Sequence, residues 1–168
     1  SCRSFFSPWC KWEGENIETV STELPALVDL VAVMDGGFKK VSSSAAHQRV
    51  KTSPLFENRI ERATTRIRKL ESALRKGHFQ TVAEISWEEL WDMHSLFHTS
   101  QPPFFYFAPD TIRVLRWAEE CWEKEGKGPI TTIDAGPNVH FLVPAAEAPH
   151  YRRQLESFSG IKVMESQA

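Results

Sequence analysis

Residues 130–143 read ITTIDAGPNVHFLV, two apolar runs separated by five residues suited to turning. The pattern predicts strands over Ile130–Ile133 and Val139–Val143, paired antiparallel through the turn Asp134–Asn138. A third apolar run with three valines, Leu27–Met34 (LVDLVAVM), predicts a buried strand that ends at Asp35-Gly36-Gly37. Between these strands the apolar period changes from two to that of a helix. Ser42 is placed to cap a helix after Lys39-Lys40-Val41, and Pro54 marks a break. Phe56, Ile60, Ala63, Ile67, Leu70 and Leu74 then recur at spacings of four, three, four, three and four, one stripe on a helix ending near Gly77. Phe79–Phe97 forms a second stripe through Val82, Ile85 or Ser86, Leu90, Met93 and Phe97. Thr111–Lys124 forms a third, with Ile112, Leu115, Ala118 and Trp122 in register and Gly126 and Gly128 closing it. A short helix over Tyr151–Phe158 and a strand over Ile161–Met164 follow. Ahead of all this, Ser4–Trp12 reads as a strand and Gly14–Glu23 as a polar loop. This order predicts an α+β sandwich built on an antiparallel sheet.

Composition narrows what such a fold can serve. A chain of 168 residues suits one domain, or one domain plus a remnant of another. Its 41% hydrophobic and 25% charged residues fit a globular chain rather than a disordered one. A net charge of −2 gives no global attraction to nucleic acid or anionic lipid, so any anion site must be built locally. Cys2, Cys10 and Cys121 lack metal-site spacing and read as reduced thiols, which points to a cytoplasmic protein. No apolar run approaches a membrane span, and SCRSFFSPWCKW has no signal-peptide layout. The chain opens without methionine on sequence that looks ordered, which predicts a fragment or a cleaved product.

Chemistry could sit in three places. In DAGPN, Gly136 can take a positive φ and admit a ligand to the backbone, while Pro137 fixes the next φ. Asp134 at a strand end could then act as a general base or stabilise developing positive charge. A plain hairpin turn accepts the same residues. Ser42, Ser43 and Ser44 at a helix start, near Lys39, Lys40, Arg49 and Lys51, suit a phosphate or carboxylate; an ordinary helix cap explains them equally. His94 and His98 have the four-residue spacing of a two-histidine metal site. The segment reads HSLFH rather than HExxH and offers no third ligand, so they read as structural histidines and no metal site is expected.

Taken together, SCRSFF, KKVSSS, VKTSPLFENR, DMHSLF, PPFFYF and TTIDAGPNVHFLV resemble the diphosphomevalonate (mevalonate diphosphate) decarboxylase family of the GHMP kinase superfamily. The resemblance runs from Ser1 to about Pro144, in the family's order. It implies the GHMP-kinase C-terminal domain, a ferredoxin-like antiparallel sheet with additional helices, over residues 23–168, preceded at 1–22 by the tail of an N-terminal domain. The activity implied is ATP-dependent conversion of mevalonate 5-diphosphate to isopentenyl diphosphate, releasing ADP, phosphate and CO2. Asp134 matches the family's catalytic aspartate beside the 3-hydroxyl, and Arg3 matches the arginine that orients the substrate carboxylate. A guanidinium so placed favours the ionised aspartate and can grip a carboxylate with two bonds. Ser1, Cys2, Ser42, Ser43, Ser44 and Gly136 match substrate-binding segments. An aspartate in this turn favours a decarboxylase over a kinase of the same superfamily.

Several relatives carry arginine where this chain has Ser44, which keeps a phosphomevalonate decarboxylase or a mevalonate 3-kinase-like enzyme in play. Lys40, Arg49 or Lys51 could replace the missing charge. A third reading is a non-catalytic interaction domain that binds a partner through the aromatics of Phe104–Phe107. The family's phosphate-binding loop does not appear in these residues, so ATP and Mg2+ are expected to be bound mainly by an N-terminal part. The chain by itself is then expected to be inactive, and the parent a homodimer.

Overall fold

The computed structural model describes residues 9–34 and 41–167. Ser1, Cys2, Arg3, most of the expected Ser4–Trp12 strand, Asp35-Gly36-Gly37, Lys39 and Lys40 lie outside the described residues.

A small hairpin comes first, β1 (Cys10–Glu13) with β2 (Asn16–Thr19), in antiparallel register with Glu13 opposite Asn16. Gly14 opens its two-residue loop at φ 61°, the left-handed conformation that such a loop needs at its first central position. The segment expected as a loop is therefore partly strand. Asn16-Ile17-Glu18-Thr19 has one apolar residue and is mostly exposed, so no hydrophobic period announces it.

The main sheet contains β3 (Leu27–Val33), β4 (Ile130–Thr132), β5 (Val139–Pro144) and β6 (Lys162–Gln167). Their spatial order is β4-β5-β3-β6 and every pairing is antiparallel. With helices between β3 and β4 and another between β5 and β6, this is the ferredoxin-like arrangement of two interleaved βαβ units. The paired strands β3 and β5 bury alternate residues on one face: Val28, Leu30 and Ala32 against Val139, Phe141 and Val143. Onto that face pack α4 (Pro109–Glu125), through Val114, Leu115, Ala118 and Cys121, and α5 (Ala148–Glu156), through Tyr151 and Leu155.

The helices between β3 and β4 begin with α1 (Ser43–Arg49), followed by a 3₁₀ turn at Val50–Thr52, α2 (Arg59–Arg75) and α3 (Phe79–Thr99). Ser42 caps α1, its hydroxyl accepting the Ala45 N–H at 3.2 Å. The α3 helix runs beside edge strand β4 and so covers a sheet edge that would otherwise be open. It buries Val82, Ile85, Leu90 and Phe97, as its spacing predicts.

Two expected stripes are wrong in detail. On α2, Ile60 is 77% exposed and Ile67 42% exposed; burial sets in only towards the C-terminal end, at Ala73 and Leu74. The inward face of its first half carries Arg59, Arg62 and Arg66, which meet Glu89 and Asp92 on α3. Ionic side chains thus line that helix contact, their stems providing the apolar packing. On α4, Ile112 is 41% exposed while its neighbour Thr111 is fully buried, because the inward stripe runs through Thr111, Val114, Leu115, Ala118 and Cys121.

Candidate active site

The DAGPN turn is held from two sides. The Thr111 hydroxyl, buried at the start of α4, donates to the Pro137 carbonyl at 2.8 Å and accepts the Ala108 N–H at 3.0 Å. From the far side, the Asn138 side-chain oxygen accepts the Met34 N–H at 3.0 Å, which ties the turn to the end of β3. Within it, the Gly136 N–H donates to the Asp134 carbonyl at 2.8 Å, a three-residue turn centred on Ala135. Gly136 is not among the residues with positive φ, so the expected left-handed glycine is absent from this turn. A Cβ at Gly136 would meet nothing within 4 Å, so its surroundings are open. Asp134 itself is exposed, two residues beyond the end of β4.

Asp134 and Ala135 line a cavity of about 650 Å3. Ser43 and His47 on α1, Arg59 at the start of α2, and Met93 on α3 also line it. The structure therefore brings the serine segment and the aspartate turn, distant in sequence, to a single space. Ser42 is occupied as the helix cap, and Ser44 is exposed in the first turn of α1. Arg3, the expected partner of Asp134, lies outside the described residues together with Ser1 and Cys2.

Two of the cations expected to compensate for Ser44 do not line this cavity. The Arg49 guanidinium lies over the Phe104 ring at 5.1 Å, and the Lys51 ammonium donates to Gln48 at 3.1 Å. Arg59 and His47 were not among the candidates, yet both reach it. The signal for Arg59 was the series Arg59, Arg62, Arg66, which falls on one helical face. Arg59 donates to Glu89 and, at 3.1 Å, to Asp92; Arg66 reaches Asp92 at 2.6 Å and Arg62 reaches it at 2.8 Å. Burial would raise the Asp92 carboxyl, but hydrogen bonds from Arg62 and Arg66 outweigh it and hold the pKa at about 2. This network fixes the wall of the cavity where Arg59 enters.

The PPFFYF run supports the site from behind. Phe104 and Tyr106 are buried beneath α1 and α3, and the Tyr106 hydroxyl donates to the Val41 carbonyl at 3.0 Å, just ahead of the serine cap. Phe105 points outward at 72% exposure. On the opposite face of the sheet His140 pairs with Asp29 at 2.9 Å. That hydrogen bond raises the His140 pKa against the effect of burial, with smaller contributions from the Asp29 and Asp134 charges. Among the described residues no cluster of three His, Cys, Asp or Glu side chains could hold a metal ion.

Comparison with known proteins agrees with this fold. Residues 29–167 match the family model described as the mevalonate 5-diphosphate decarboxylase C-terminal domain. A diphosphomevalonate decarboxylase of Schizosaccharomyces pombe is 31% identical over 162 residues, covering 88% of this chain and 41% of the relative. A solved mevalonate diphosphate decarboxylase from Legionella pneumophila superposes with a TM-score of 0.88 at 34% identity, covering 97% of this chain and 52% of the other. The Enterococcus faecalis enzyme, solved in a study of mevalonate-diphosphate-mediated ATP binding, shares the fold at 22% identity with a TM-score of 0.81, over 98% of this chain and 56% of that one. The chain thus spans about two fifths of the length of the curated relatives and about half that of the solved ones.

Proposed function

The chain belongs to the mevalonate 5-diphosphate decarboxylase family, whose C-terminal domain it contains, and from this we propose that its parent enzyme decarboxylates mevalonate 5-diphosphate at the expense of ATP. The products would be isopentenyl diphosphate, ADP, phosphate and CO2. The 3-hydroxyl takes the γ-phosphoryl group of ATP, phosphate leaves with the C3–O electron pair, and the C1–C2 bonding pair forms the new double bond as CO2 departs. Asp134 is assigned to the 3-hydroxyl and to the charge that develops at C3, and Arg3 to the substrate carboxylate. Ser42, Ser43 and Ser44 are assigned to the phosphate-bearing end, with Ser1, Cys2 and Gly136 also at the substrate. ATP and Mg2+ are assigned mainly to the N-terminal part of the same protein, of which residues 1–22 would be the tail and residues 23–168 the C-terminal partner. The parent is taken as a cytoplasmic homodimer.

One observation carries this reading: Ser43 and Asp134 line the same cavity, whose size suits a small phosphorylated acid. In full-length protein, Asp134→Ala should retain substrate binding while turnover falls by about two to four orders of magnitude, as expected for losing a positioned acid–base group. Calorimetry for binding and parallel assays of ADP and CO2 check this; near-normal CO2 release from the variant would reject the assignment.

Ser44, uncharged and exposed, favours one second reading, an enzyme that acts on the monophosphate or only phosphorylates the 3-hydroxyl. Competition between mono- and diphosphorylated substrates separates the first case, and ADP formation without CO2 identifies the second.

A further inference from the structure

We propose that His47 holds the phosphate-bearing end of the substrate and sets a preference for the diphosphate over the monophosphate. The inference rests on the decarboxylase reading and extends it to a residue to which that reading gives no role.

Helix geometry places the imidazole. His47 lies four residues after Ser43 on α1, so the two side chains stand on one face of the helix, about 5–6 Å apart at their Cβ atoms. Both line the cavity that Asp134 lines, which turns this face of α1 to the ligand space. Ala46 and Val50 anchor the helix in a buried cluster with Leu96, Phe97 and Phe104. The His47 side chain is exposed, and among the described residues its ring makes no hydrogen bond or ion pair.

The other cations near this space are committed elsewhere. Arg59 also lines the cavity, but its guanidinium is held by Glu89 and Asp92. The Arg49 guanidinium lies over the Phe104 ring, and the Lys51 ammonium donates to Gln48. Among the described residues that line the cavity, His47 is therefore the basic side chain left uncommitted.

Its chemistry suits a phosphate. Ser42, Ser43 and Ser44 offer hydroxyls and no charge, and Ser42 already caps α1. An imidazole donates an N–H whether neutral or protonated, and the protonated ring adds a positive charge. Asp134, the carboxylate in the same cavity, repels an anion, so the phosphates need donors from another element, and α1 supplies them. The spacing gives the selectivity: a ligand held at Ser43 by one phosphate reaches His47 one turn away with a second. A monophosphate makes the first contact and lacks the group for the second.

The test uses full-length enzyme with His47→Ala and His47→Arg, and both mevalonate 5-diphosphate and its monophosphate as ligands. Calorimetry measures both affinities whether or not each ligand turns over. His47→Ala should weaken the diphosphate about 10- to 100-fold, the loss of one hydrogen bond to a charged group, and the monophosphate less than about threefold. With the diphosphate, KM should rise while kcat changes little. His47→Arg, which keeps a donor and a charge, should restore most of the affinity. In enzyme labelled with 15N in its histidine rings, inorganic pyrophosphate should shift the His47 signals, identified by their loss in the alanine variant. Wild-type affinity for the diphosphate in His47→Ala overturns the proposal, and so does an equal loss for the two ligands. A wild type that does not discriminate between them overturns it too, as does a loss that follows a fall in melting temperature and is not restored by arginine. Should the wild type bind the diphosphate but release no CO2, the decarboxylase reading fails separately, and the affinities and ring shifts still decide the role of His47.

Discussion

Burial holds the His94 imidazole neutral, and this leaves a signature in stability. Above pH 6.5 the ring is neutral in folded and unfolded chains alike, so it adds no pH dependence. As the pH falls below that value the unfolded chain takes up a proton that the folded ring refuses until about pH 4. Stability should therefore decline by about 3 kcal/mol across that interval and then level off. His140 shifts the opposite way, raised by Asp29, so its stabilising contribution is complete below pH 6.5 and fades as the pH rises through its folded value. Urea midpoints measured from neutral pH to about pH 4 should show the loss in the wild type, and His94→Phe should flatten it. None of this was legible beforehand. The spacing of His94 and His98 suggested a metal site or a packed helix end, and only the surrounding rings decide that His94 is enclosed and unpartnered.

At the level of elements, the α2–α3 contact shows how a helical period can be right and its face wrong. Ile60 and Ile67 keep the spacing of a buried stripe, but Arg59, Arg62 and Arg66 repeat on another face of the same helix. Periodicity alone cannot choose between two stripes on one helix. The acidic residues of α3 choose, because carboxylates at Glu89 and Asp92 need cations opposite them once they are partly enclosed. The Asp92 carboxyl, held at about 2, contributes stability that is present above its ordinary value of 3.8 and is lost as the pH falls through 2. Arg66→Ala should destabilise by about 2–4 kcal/mol, more than an exposed pair would, because it leaves the Asp92 charge short of partners. Thermal melts of single and double variants at Arg66 and Asp92 measure this, and the double variant should lose less than the sum of the singles. Arg59 lines the cavity from this network, so loosening it should also raise KM.

For the molecule as a whole, the proposed function makes the candidate site half of a site. The described residues supply Asp134, the serine segment and the wall that joins them, and the ferredoxin-like sheet provides a continuous core to support them. The 168-residue chain should therefore fold cooperatively by circular dichroism, yet show no CO2 release from mevalonate 5-diphosphate and ATP unless an N-terminal part is supplied. Turnover by the chain alone would overturn the division of labour proposed above.

The sequence by itself determined the strand hairpin around DAGPN, the buried strand at Leu27, the three long helices and hence the α+β class. Each of these depends on local turn chemistry or on a period that a single segment displays. It also placed Asp134 at a strand end. Tertiary structure alone decided that Ser43 and Asp134 share a cavity, that Arg59 and His47 rather than Arg49 or Lys51 face it, and that Thr111 and Asn138 hold the turn. These are contacts between segments far apart in the chain. Their geometry comes from how helices and sheet pack together, which no local pattern of residues encodes.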